Sequence, residues 1–178
     1  MKKTFSLLTI ALVSLLKTTT VQAQSDELVK VYRWYNTDDK EYVTVAEGEY
    51  QEGQMLHWKW TDKEPIFTAY RNPGEGRVAV YGWYNPHTKD HVSIIEDEFS
   101  DNAMMKMGYE GKHVQFYASL KRGNNYIPVY RWLRGSHDWV TIPEEGKTDA
   151  YFKKGYGRKT FQFYGIQRAA DVFIYNQL

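Results

Sequence analysis

Three acidic-aromatic dipeptides, Glu41-Tyr42, Asp90-His91 and Asp138-Trp139, recur at near-equal spacing along the chain. A carboxylate that accepts sugar hydroxyl hydrogen bonds, beside a ring that stacks on the apolar face of a sugar, is a common way to build a carbohydrate pocket. Three shallow copies would act with avidity. The competing account is structural: the carboxylate accepts backbone N–H bonds in a turn while the ring packs. Trp58, in the stretch His57-Trp58-Lys59-Trp60, has the same two readings. Exposed, it is a candidate stacking platform; buried, it is core. Glu41, Tyr42, Asp90, His91, Asp138, Trp139 and Trp58 are therefore the candidate ligand-binding residues.

Other chemistries find less support. Glu47, Glu96 and Glu144 also recur, and paired carboxylates are the machinery of glycoside hydrolysis. Each holds the same place in its own repeat, so the three would be related by symmetry rather than converge on one bond; capping or a solvated loop accounts for them. The five histidines, His57, His87, His91, His113 and His137, lack His-x-x-x-His spacing, and the chain has no cysteine, so a metal site has little sequence support. No Gly-x-Ser-x-Gly elbow supplies a serine nucleophile. The expectation is a protein that is not an enzyme and uses no cofactor or metal.

Of the 178 residues, 16% are aromatic and 25% charged. Collagen-like and disordered chains lack such aromatics, and a disulfide-stapled module would need cysteines. The length suits one domain. Lys2 and Lys3 precede an apolar run of 12 residues from Phe5 to Leu16, and Val21-Gln22-Ala23 offers the small residues that a signal peptidase reads. We expect a signal peptide over residues 1–23, a secreted or periplasmic chain over 24–178, and no membrane insertion after cleavage, because a spanning helix needs about 20 apolar residues. Loss of Lys2, Lys3 and Lys17 leaves 20 basic against 22 acidic residues, a net charge of −2, which argues against nucleic acid as a partner.

The elements that would position these residues are written three times. Val31-Tyr32-Arg33-Trp34-Tyr35-Asn36 returns as Val80-Tyr81-Gly82-Trp83-Tyr84-Asn85 and as Val129-Tyr130-Arg131-Trp132-Leu133-Arg134, each time after 49 residues. A Val/Thr/Ile-rich block follows each, with turn composition between, so each pair reads as a β-hairpin. Ser100 and Thr148 are candidate N-caps of short helices ending near Gly108 and Gly155, while Gly48–Gly53 leads us to expect a different structure in the first repeat. Met104, Met105 and Met107 are expected to line the inside of the second-repeat helix. Each repeat closes on a strand around Phe67, Phe116 or Phe163. Alternation places Tyr32/Trp34, Tyr81/Trp83 and Tyr130/Trp132 on one face as a shared core. Repeats at about 29–77, 78–126 and 127–168, with roughly four strands each and a closing strand at 171–176, give a mainly β, β-trefoil-like domain; a β-prism is the alternative.

These blocks resemble a repeat family of unknown function in secreted bacterial and fungal proteins. The match rests on Val80-Tyr81, Trp83-Tyr84-Asn85, Asp90-His91, Gly108-Tyr109-Glu110-Gly111 and Phe116-Tyr117, and extends over roughly residues 29–166. Gly82 replaces the arginine of the pattern, Arg134 its asparagine, and Tyr42 and Trp139 its histidine. The resemblance implies a trefoil-type module, often attached to secreted hydrolases, with a binding or targeting role. Combined with the dipeptides, it suggests a secreted binding module for carbohydrate or cell-surface glycan; the alternative is a module that binds or inhibits an extracellular protein, and a hydrolase comes last.

Overall fold

The computed structural model describes residues 27–136, 138–143 and 155–167. Over these residues it is mainly β, with nine strands and two short helices among them. In chain order these are β1 (Leu28–Asn36), β2 (Glu41–Ala46), α1 (Glu52–His57), β3 (Trp60–Tyr70), β4 (Arg77–Tyr84), β5 (His91–Ile95), α2 (Asp101–Lys106), β6 (Glu110–Ser119), β7 (Tyr126–Arg134), β8 (Asp138–Pro143) and β9 (Arg158–Ile166). Every pairing is antiparallel. Strand β1 lies between β2 and β3, β4 between β5 and β6, and β7 between β8 and β9. The expected hairpins are therefore β1/β2, β4/β5 and β7/β8. Each set has three strands among the described residues rather than the roughly four expected. The third strands also touch one another, through Tyr70 with Tyr117, Ser119 with Tyr164 and Thr68 with Ile166.

The sets meet on three phenylalanines. Phe67, Phe116 and Phe163 are fully buried, and their rings pack edge to face with centroids 5.6–5.8 Å apart. Opposite them in the ladder stand Val31, Val80 and Val129, also fully buried. Just past each Val–Phe pair the register slips: Tyr32 pairs with Pro65, Tyr81 with Val114 and Tyr130 with Phe161. The slip leaves Ile66, Gln115 and Gln162 as the extra residues of β-bulges, which bend a strand and re-aim its side chains.

Interrupted alternation overturns the expected aromatic core. The tryptophans are buried, but Trp34 packs with Val43, Val45, Met55 and Trp60, and Trp83 packs with Val92, Ile94, Met104 and Tyr109, in two clusters separate from the phenylalanines. Only Trp132 joins the central cluster. Tyr32, Tyr81 and Tyr130 are half-buried and present their faces to Lys63, Lys112 and Lys159, at 4.5, 4.2 and 3.9 Å.

Helix α2 starts where its cap predicts, with Ser100 Oγ accepting the Ala103 N–H at 3.3 Å. Met104 points inward, whereas Met105 and Met107 are exposed, contrary to expectation. The first repeat does carry a helix, α1. There the Gln54 side chain accepts the Gln51 N–H at 3.1 Å, and Met55 anchors the turn in the Trp34 cluster. The expected signal peptide, Glu144, Thr148 and the strand expected at 171–176 fall outside the described residues.

Candidate functional site

Hairpin geometry decides where the acidic-aromatic pairs point. Glu41, Asp90 and Asp138 open β2, lead into β5 and open β8, strands that approach one another at the centre: Thr44 Oγ1 donates to the Thr141 carbonyl and Thr141 Oγ1 to the Ser93 carbonyl. The acids are accordingly drawn inward. Asp90 is 2% exposed and accepts the Tyr109 hydroxyl and, at 3.2 Å, the Trp139 N–H. Asp138 is 7% exposed and accepts the Tyr156 hydroxyl at 3.2 Å and the Arg134 guanidinium. Burial, with Asp138 and Asp39 nearby, pushes Glu41 up to about 7; burial also pushes Asp90 up to about 8, with Asp138 and Glu41 adding to it. Three solvent-facing carboxylates beside exposed rings are thus not what these dipeptides form. Asp90 and Asp138 tie strand ends to the Gly-Tyr tyrosines, and Asp90 also reaches the third set through the Trp139 N–H.

The asparagine that closes each opening block fastens the same turns. Asn36 Oδ1 accepts the Asp38 and Asp39 N–H groups, and its Nδ2 donates to the Trp58 carbonyl at 3.2 Å. Asn85 repeats the pattern with His87, Thr88 and the Met107 carbonyl. In the third set Arg134 replaces the asparagine and pairs with Asp138.

Between the β1–β3 set and the β4–β6 set lies a pocket of about 570 Å³. Its rings include Tyr50, Trp58, Trp60, Trp83, Tyr84 and His91; its polar groups include Asp39, Glu49, Lys89, His113 and Gln115. Trp58 is 46% exposed and meets Tyr50 edge to face at 5.6 Å, so of its two readings the exposed one holds. Trp60 is buried, as its alignment with Tyr109 and Tyr156 suggests. The His91 ring lies 4.4 Å from Tyr84 and edge-on to Trp60, and burial holds it down at about 4, hence neutral.

Glu49 is the electrostatic centre of this pocket. Its carboxylate accepts from His113 Nε2 at 2.7 Å, from Gln115 Nε2 at 2.9 and 3.0 Å, and from the Ala46 N–H at 2.9 Å. The Glu49 bond pushes His113 upward, while His113 Nδ1 contacts the Gly111 carbonyl. Gln115 reaches Glu49 because it is the bulge residue of β6. Gly82 makes the arrangement possible: a Cβ there would stand 2.6 Å from His113 Cε1 and 3.0 Å from Gln115 Cδ.

Of the seven candidate residues, Trp58 and His91 line this pocket; Glu41, Tyr42, Asp90, Asp138 and Trp139 do not. Glu47 and Glu96 accept from the Tyr32 and Tyr81 hydroxyls at exposed positions and do not converge. No group of three or more His, Asp or Glu among the described residues could hold a metal ion. Glu49, Tyr50, His113 and Gln115 were missed by sequence reasoning, although the break in pattern at Gly82 marked the spot.

Fold and pocket together define a mainly β antiparallel structure with an aromatic, polar cleft. A family model described as a domain of unknown function, DUF5648, matches residues 30–166, and the chain belongs to that family. No curated protein and no solved structure matches it.

Proposed function

We propose that this chain is a secreted or periplasmic binding module that holds a carbohydrate in the pocket between its first two sets of strands, without chemical conversion. The pocket carries the reading. A volume of about 570 Å³ is of the size that encloses a small ligand, and an exposed Trp58 beside Tyr50 offers a face for stacking above polar groups that orient hydroxyls. Both Glu49 oxygens are engaged as acceptors, which suits recognition rather than proton transfer. In the same proposal the three sets of strands are homologous units about a pseudo-threefold axis, a trefoil-like plan with three strands per unit. Support comes from the 49-residue spacing and the phenylalanine contacts.

A glycan array followed by calorimetry tests the reading. Binding is expected, and Trp58→Ala should weaken it by about tenfold while leaving the unfolding midpoint unchanged. No glycan bound at about millimolar concentration, the weak end of useful affinity, overturns it.

A further inference from the structure

The pocket lies where, at the next boundary along the chain, an arginine is buried. Arg131 stands 49 residues after Gly82. Its guanidinium meets both oxygens of Glu98 at 2.7 Å, 4.2 Å over the Trp139 ring and 5.0 Å from that of Phe99. The corresponding places at the pocket are held by Glu49, His91 and Tyr50, which stand 49, 48 and 49 residues before Glu98, Trp139 and Phe99, and all three line it. The anion and rings that surround a guanidinium are thus kept, and glycine removes the guanidinium itself.

His113 fills the place only in part. Its Nε2 satisfies Glu49, but its side chain is 40% exposed, while that of Glu49 is only 9% exposed. Gln115 Oε1, beside the carboxylate, is buried with no hydrogen-bond partner among the described residues. A buried carboxylate next to an unused acceptor favours a donor-rich cation.

We propose that the ligand of this pocket bears a cationic amine, which displaces the His113 imidazole and pairs with Glu49. This rests on the carbohydrate reading of the same pocket and narrows it to glycans with free, unacetylated amino groups. The neutral His91 ring adds no opposing charge, and Trp58 at the rim takes the apolar face of the sugar.

Calorimetric titration of the full chain at neutral pH with glucosamine and N-acetylglucosamine oligomers of equal length tests it. The free amine should bind at least about tenfold more tightly, as a charge-assisted hydrogen bond warrants. Glu49→Gln should erase the preference. A double variant, Gly82→Arg with His113→Thr, restores the arginine and gives it the cross-strand partner that Arg131 has in Thr160. It should lose binding of both sugars while keeping its near-ultraviolet circular dichroism, and it decides the matter if Glu49→Gln does not fold. Equal affinity for the two sugars overturns the amine and leaves the carbohydrate reading standing. Binding of neither overturns the amine, and the glycan array alone then decides the carbohydrate reading. Tighter binding of an arginine-bearing peptide than of either sugar overturns the glycan as the source of the cation.

Discussion

Asp90 and His91 adjoin in sequence, yet burial moves them in opposite directions, the acid up to about 8 and the imidazole down to about 4. Folded His91 resists protonation that the unfolded chain accepts from its ordinary 6.5 downward, so its contribution to stability falls as the pH drops from about 6.5 to about 4, by up to about 3 kcal/mol. Asp90 works on the other side. Its folded form retains a proton that the unfolded chain gives up above 3.8, so stability present below that value is lost as the pH rises through about 8. Urea denaturation across pH should show His91→Gln removing the fall in stability from about 6.5 down to about 4, and Asp90→Asn removing the opposite fall from about 4 up to about 8. The dipeptide was visible in the sequence, but its orientation was not, because Tyr109 and Trp139, which hold the acid inward, come from distant segments. Gly82 presents the same difficulty. Its departure from arginine was plain, while its meaning depended on His113 across the β4/β6 ladder.

Strands and turns were more legible than bulges. Alternating Val, Tyr and Trp followed by turn residues placed all three hairpins, because hairpin signals are local. The alternation, however, predicts the wrong core, since an extra residue on β3, β6 or β9 leaves no mark on the opposing strand where the pattern is read. Helix α1 was hidden because its start lies in a glycine-flanked stretch, and its anchor, Met55, is recognisable only once the Trp34 cluster is assembled. The caps carry a prediction at this scale. Ser100→Ala, which removes one acceptor at an exposed helix end, should cost about 1 kcal/mol in urea denaturation. Asn85→Ala should cost more, about 2 kcal/mol, because it strands the His87 and Thr88 N–H groups and the Met107 carbonyl together.

The molecule as a whole depends on Phe67, Phe116 and Phe163, each supplied by a different third strand. Phe116→Ala should therefore cost about 3–5 kcal/mol, and calorimetry should still show a single transition, since loosening one set exposes the rings of the other two. The sequence marked these phenylalanines as closing landmarks without showing that they meet, in contacts between residues 47, 49 and 96 positions apart. Filling is uneven at the rim of this common centre. Arg131 occupies its boundary, Arg33 lies 5.3 Å over Tyr42 and pairs with Glu64, and Gly82 leaves its place to the His113 side chain, which fills it only in part. In the proposed plan of three similar parts, the boundary that carries the pocket is the one where glycine stands in place of arginine. If the proposed binding rests on that pocket, each chain engages one ligand there, an arrangement that would cap or mask a surface rather than agglutinate cells or cross-link a polymer.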